Sequence, residues 1–319
     1  MAETGTTSEP GSESMLTVLI ALGANALIAA AKTVVAVITG SASMVAEAAH
    51  SWSDAGNEIF LLVAERRSAR PADARHPLGF GREAYVWSMF AAFGLFTAGA
   101  VVSIWHGVTS WTGGEGEEVD YTWAYAVLAL AFVLESVSFL QARRQTRSAA
   151  RAAGLHPLRY LSRTSNPTLR AVYAEDAAAL IGIGIAATGI GLHQATGDAR
   201  WDAAGSVLVG LLLGCVAVYL ISRNRDFLVG QAVAPGMRDT AIRTLERDSE
   251  VQRVTFLHLE YVGPGKVFLV AAVDLTGDSP ETEVARRLRT ITERIEGHDN
   301  VARAVLTLSS PEDESLTHG

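Results

Sequence analysis

Apolar residues gather in six blocks, at about 16–38, 42–64, 84–110, 121–142, 170–193 and 203–222. Each approaches or exceeds the ~20 residues that a helix needs to cross a bilayer. After Ser222 the apolar runs shorten and charges recur every few residues. There the spacing of Ile242 and Leu245 predicts a helix over 239–248. Two Val/Leu/Phe-rich runs, 252–260 and 266–275, predict strands that turn around Val262-Gly263-Pro264-Gly265. A helix is expected from Pro280 to about Glu296, with Val284, Leu288, Ile291 and Ile295 on one stripe, and a final strand over 301–308. The pattern thus predicts an α-helical membrane protein, six transmembrane helices followed by a small two-layer α+β domain. The expected boundaries are a disordered tail over 1–14, the membrane domain over 15–223, the α+β domain over 224–310 and a second disordered tail over 311–319.

Charge changes the picture by giving the spans a direction. The net charge of −8 hides a segregation. Arg66, Arg67, Arg70, Arg75 and Arg82 follow the second block, and Arg143, Arg144, Arg147, Arg151, Arg159, Arg163 and Arg170 follow the fourth. The segment from Trp111 to Tyr121 holds acids and glycines but no Lys or Arg, and Gln194 to Trp201 holds only Arg200. By the positive-inside rule both termini and the α+β domain are expected in the cytoplasm. The expected location is a bacterial plasma membrane, with the chain an integral membrane protein. A cysteine placed at Gly114 in a Cys215→Ser background should therefore react with an impermeant thiol reagent from outside intact cells. Labelling only after lysis would contradict the six-span topology. The Ser/Thr/Glu/Gly-rich start has no basic n-region, so no cleaved signal peptide is expected. Cys215 stands alone, which excludes a disulfide framework or a Cys-rich metal site within one chain. The arginines are accounted for by topology, and no basic patch interleaved with aromatics points to nucleic acid.

The candidate chemistry lies inside the apolar blocks. A charge at the centre of a membrane helix costs roughly 2.5–3.5 kcal/mol even on the lenient insertion scale, so such groups are usually sites. His50 and Asp54 stand four apart, on one face of the second span, with Glu47 one turn before His50. Glu175 and Asp176 are adjacent in the fifth span, and Glu135 is a further acid in the fourth. Imidazole and carboxylates opposed in this way offer mixed N/O ligands to a divalent cation. Without a thiolate, the set favours Zn²⁺, with Mn²⁺, Fe²⁺ or Co²⁺ also able to bind. The cation is cargo, and no resident cofactor is expected. Many glycines, among them Gly182, Gly184, Gly189 and Gly191 in span five, suit close packing of membrane helices.

Four segments together resemble the cation diffusion facilitator, or cation efflux, family. They are Gly-Ser-Ala-Ser-Met-Val-Ala-Glu-Ala-Ala-His-Ser-Trp-Ser-Asp over 40–54, His-Pro-Leu-Gly-Phe-Gly-Arg-Glu over 76–83, Glu-Asp-Ala-Ala-Ala-Leu-Ile-Gly over 175–182, and Asp202-Ala-Ala-Gly-Ser. The Glu175-Asp176 pair and the Glu135-Ser-Val-Ser-Phe run are most similar to the branch containing the mitochondrial zinc transporter of animals. The resemblance implies a six-span homodimer with a cytoplasmic ferredoxin-like domain, exporting divalent metal from the cytoplasm in exchange for protons. It places His50, Asp54 and Asp176 on the family's transport ligands. The fourth ligand position is Val172 here, so Glu175 or water is expected to complete the shell. Asp73 and His76 match two positions of a second metal site found in some members, while Phe80 stands where those members have a further His. A His-rich sensing cluster in the tail is not evident.

Other readings remain at this point. Carboxylates alone, Asp54, Asp176 and Glu135, would serve a monovalent-cation/proton antiporter. A branch member lacking the span-five His would also serve as a non-transporting scaffold or sensor. An intramembrane metallo-hydrolase lacks the His-Glu-x-x-His helix it would need, and the chain is not expected to be an enzyme.

Overall fold

The computed structural model describes residues 10–111 and 120–317, so the proposed external loop around Gly113, Gly114 and Glu115 lies outside the described residues. The helices are α1 (Pro10–Thr39), α2 (Ala42–Ser68), α3 (Glu83–Gly94), α4 (Val102–Trp111), α5 (Thr122–Ala152), α6 (Pro157–Arg163), α7 (Pro167–Thr196), α8 (Arg200–Leu228), α9 (Pro235–Glu246) and α10 (Glu281–Glu296). The strands are β1 (Val251–Gly263), β2 (Lys266–Leu275) and β3 (Val301–Leu308). Leu95–Val101 joins α3 to α4 through π-helical turns, so the two form one uninterrupted rod.

Among the described residues, five segments are long and apolar enough to cross a membrane: Leu22–Thr39, Glu83–Trp111, Thr122–Ala152, Pro167–Thr196 and Arg200–Leu228. The sixth expected span, α2, has the length at 27 residues but not the hydropathy. Glu47, His50, Asp54, Asn57 and Glu58 lower it, and these are the residues that give α2 its chemistry. The arginines of the fourth loop also sit differently from expectation. Arg143, Arg144, Arg147 and Arg151 continue α5 rather than forming a loop, and α6 follows them.

The chain divides into two units. The first gathers Met1–Val63, Trp87–Gln145 and Ala171–Ile221. Here small residues set the packing, as they do where apolar burial gives helices little reason to associate. A Cβ on Gly107 of α4 would lie 2.8 Å from the Ala203 carbonyl of α8, and one on Gly210 of α8 would lie 2.9 Å from the Ala100 carbonyl. The turn between α1 and α2 has a defined cause. Gly40 takes φ +63° and its N–H donates to the Ala36 carbonyl, which ends α1. Ser41 then caps α2 by accepting from the Met44 N–H at 3.2 Å. Asp202 of α8 accepts from the Ala42 and Ser43 N–H groups at 2.6 and 3.2 Å and from the Ser41 hydroxyl at 2.9 Å. A carboxylate supplied by another helix thus answers the positive N-terminus of α2 and fixes where its polar stripe begins.

The second unit holds Ala64–Val86, Thr146–Arg170 and Ser222–Gly319. Its sheet has the order β1-β2-β3, with β1 and β2 antiparallel and β2 and β3 parallel. Pro264-Gly265 closes the hairpin, Gly265 at φ +68° supplying the left-handed residue that such a Pro-Gly turn requires. The buried faces of the strands (Val254, Leu259, Leu269, Ala271, Val273) meet Ile291 and Ile295 of α10. This is the small α+β domain expected from the pattern. The tail beyond it differs from expectation. Residues 310–317 fold back along β1, with the Leu316 N–H donating to the Val254 carbonyl at 2.8 Å and Arg253 Nη1 donating to the Asp313 carbonyl.

Candidate metal centre

The helical period of α2 places Glu47, His50, Asp54 and Glu58 on one stripe. The stripe faces α1, α5 and α7, and the first unit contains a cavity of about 130 Å³ along it. Its lining includes Asp54 and Glu58 of α2, Glu135 and Ser138 of α5, and Val172, Glu175 and Asp176 of α7. Adjacent residues of a helix diverge by ~100°, yet Glu175 and Asp176 both reach this cavity. Val172 lines it as well, so an imidazole at that position would face the same space.

Each of three acids is held by a neutral donor on a neighbouring helix. Asn57 Nδ2 donates to Glu175 Oε1 at 3.0 Å, Ser138 Oγ to Asp176 Oδ2 at 2.7 Å, and Asn25 Nδ2 to Glu58 Oε1 at 2.6 Å. Amides and hydroxyls stabilise a carboxylate without neutralising it, so the acids keep their capacity for a cation or a proton. They are set apart around the cavity. Among the described residues, no three His, Cys, Asp or Glu side chains converge as a formed metal-binding group.

His50 sits one turn behind Asp54 and is fully buried, and it does not line the cavity. Its Nδ1 approaches Asp54 Oδ1 at 3.4 Å without hydrogen-bond alignment. Both ring nitrogens and Asp54 Oδ1 lack a hydrogen-bond partner among the described residues. A buried imidazole normally satisfies at least one nitrogen; here the ring's one lone pair and the neighbouring Asp54 oxygen are both open to a ligand.

Glu47 is placed elsewhere. Lys32 Nζ of α1 pairs with Glu47 Oε2 at 2.8 Å, with both side chains almost wholly buried, and Gly182 of α7 makes room for Oε1. Its carboxylate is thus spent on an ammonium and does not line the cavity. Asp73 and His76 belong to the second unit. Asp73 Oδ1 accepts from the backbone N–H groups of His76 and Arg75 and lies 3.1 Å from His76 Nδ1. The His76 N–H chiefly holds the Asp73 carboxyl below its ordinary pKa. Phe80 lies against the His76 ring in a tilted arrangement, with centroids 4.1 Å apart, and carries the Arg70 guanidinium 4.3 Å above its own ring. These contacts build a tight loop around Asp73 Oδ1 and His76 Nδ1.

Glu58, Asn57, Asn25 and Ser138 were not singled out as site residues from the sequence. For Glu58 the signal was present, since it continues the His50–Asp54 spacing by one further turn.

A helical membrane unit with an imidazole and several carboxylates buried along one helix, joined in sequence to a small α+β domain, defines a cation-handling class of membrane protein. Residues 18–229 match the cation efflux transmembrane domain. The chain belongs to the cation efflux family. It is 34% identical over 302 residues to the mitochondrial proton-coupled zinc antiporter SLC30A9 of Xenopus laevis, covering 95% of this chain and 53% of that protein. The corresponding human protein is 35% identical over 260 residues, covering 82% of this chain and 46% of its own length. The metal tolerance protein C4 of Arabidopsis thaliana is 34% identical over 261 residues, covering 82% of this chain and 57% of that protein. The chain spans about half the length of the curated relatives it matches.

Proposed function

We propose that this protein exchanges a divalent metal cation, Zn²⁺ foremost, for protons across a membrane, with Asp54, Asp176, Glu175 and His50 as the principal ligands. The observation that supports this best is the shared cavity of Asp54, Glu135, Glu175 and Asp176, with His50 directly behind Asp54. So many carboxylates in a low-dielectric space do not all stay ionised without a counter-charge. A divalent cation arriving there displaces protons, and protons in turn compete it off. Rocking of helices about a fixed site near the midplane would expose the cavity to each side in turn. The names of the relatives from frog and human agree with this exchange. We place the arginine-rich ends in the cytoplasm and take the working unit to be a homodimer.

The test is ⁶⁵Zn²⁺ uptake by purified protein in liposomes under an imposed pH gradient. Zn²⁺-stimulated proton movement supports the proposal, and its absence overturns it. A monovalent-cation/proton antiporter is the second reading. It is favoured by one observation, that the cavity's polar lining is all carboxylate, amide and hydroxyl while His50 is set back. Proton movement driven by Na⁺ or K⁺ but not by Zn²⁺ would establish it.

Glu175 is expected to supply the ligand that Val172 does not. Glu175→Ala should weaken Zn²⁺ binding by about tenfold or more, the scale on which metal sites respond to loss of a supporting group. Adding Val172→His should recover part of the loss, because residue 172 is one turn from Asp176 on the same face. Isothermal titration of the single and double variants measures both effects. Unchanged affinity in Glu175→Ala would leave a site closed by water or Glu135.

A further inference from the structure

The α2 stripe is asymmetric. At the end toward Ala42, Glu47 is fully buried and neutralised by Lys32, and the Asp202 cap lies one turn beyond. At the end toward Ser68, Glu58 is half-buried and lines the cavity, followed by Leu61 and then by Arg66 and Arg67 in the last turn of α2. Asn25 of α1 holds Glu58 Oε1 at 2.6 Å, while Oε2 has no hydrogen-bond partner among the described residues. One oxygen is thus fixed and the other is left available, which is the arrangement of a carboxylate held ready rather than one used up in packing. From the arginine end of α2 the exposed Glu65 comes first, and Glu58, one turn from Asp54 along the stripe, is the first acid of α2 that lines the cavity.

The geometry points to Glu58 as the loading carboxylate of the exchange: it receives the divalent cation entering from the arginine-bearing face and passes it one turn along α2 to Asp54, with Asn25 as its positioning residue. This rests on the proposed metal exchange. Four residues of helix rise about 6 Å, one short step between carboxylates. Such a step lowers the charge penalty of leaving water before the Asp54 ligands are reached. A closed Lys32–Glu47 pair at the other end offers no equivalent station, so the effect of Glu58 on KM is confined to one face.

The test is Zn²⁺ transport by oriented liposomes, with metal presented at either face. In Glu58→Gln the substituted amide still accepts the Asn25 N–H, so folding is retained, which size-exclusion and thermal melting verify. Its kcat/KM for Zn²⁺ presented at the arginine-bearing face should fall about tenfold, through KM, with kcat within about twofold. At the opposite face KM should stay within about twofold, as should equilibrium Zn²⁺ affinity by titration. The exchange equilibrium requires the loss in kcat/KM to be equal in both directions, so the matching loss should appear there in kcat. Asn25→Ala should shift KM in the same direction by about threefold, and Glu58→Asp should recover part of the loss. An unchanged KM at the arginine-bearing face, or a KM raised equally at both faces, overturns the role of Glu58 while leaving the exchange standing. Wild-type protein that moves no Zn²⁺ from either face overturns the exchange and this inference with it.

Discussion

Asp54→Ala should abolish metal exchange, lowering Zn²⁺ uptake by about 100-fold or more, while the protein still inserts and elutes as the wild type does. Asp54 joins the two halves of the proposed centre. It lies 3.4 Å from the His50 imidazole and also lines the cavity with acids from α5 and α7. Like Glu58, but unlike Glu175 and Asp176, it has an oxygen, here Oδ1, that is buried with no hydrogen-bond partner among the described residues. Removing it therefore breaks no observed hydrogen bond and relieves a desolvated charge, so the fold should not suffer. What is lost is the ligand that brings imidazole and carboxylates to one ion. Losing a supporting group alone costs metal sites 10–100-fold, and a directly ligating carboxylate should cost at least the upper part of that range. Asp176→Ala should act in the same direction with a smaller effect, since Glu175 and Glu135 share its cavity. Uptake in liposomes by purified protein is the measurement, and near-normal uptake by the Asp54 variant would remove it from the centre.

How much of this was readable in the chain depended on whether the signal was local. The His50–Asp54 pair announces itself because a four-residue spacing on a helix puts two side chains on one face. The strands β2 and β3 coincide with the runs expected over 266–275 and 301–308, because half-buried strands of β-branched residues carry their own signature. Glu58 obeys the same period as Asp54 and was legible in principle. What selects it is the Asn25 amide from another helix, 33 residues away. Asn57 and Ser138 are ordinary polar residues until α7 presents Glu175 and Asp176 to them. The π-helical turns over Leu95–Val101 left no expectation at all, because nothing in Leu-Phe-Thr-Ala-Gly-Ala-Val demands a wider turn. The fold back of 310–317 depends on Arg253 and Val254 of β1, which no reading of that polar segment alone would supply.

The ion pair beside the centre was likewise invisible, and it carries the second large effect. Lys32 and Glu47 are both polar interruptions in apolar helices, and only the structure shows that each answers the other at 2.8 Å. Lys32→Met should destabilise the protein by about 3–5 kcal/mol, the usual result when one partner of a buried pair is removed and its charge is left alone. The Glu47 carboxylate would have nowhere to turn, since its Oε1 already lacks a partner and faces the Gly182 backbone. Removing both charges together, in Lys32→Met/Glu47→Leu, should recover most of that loss, because the desolvation penalty disappears with the ions. Unfolding of the single and double variants in detergent micelles measures the coupling. A double variant as unstable as the single one would show that the charges are not answering each other. If the double variant regains stability and also transports Zn²⁺ normally, the pair serves the fold alone. If it folds but transports slowly, the closed end of the α2 stripe belongs to the exchange itself, because only a moving part would register the loss of a pair that contributes nothing net to stability.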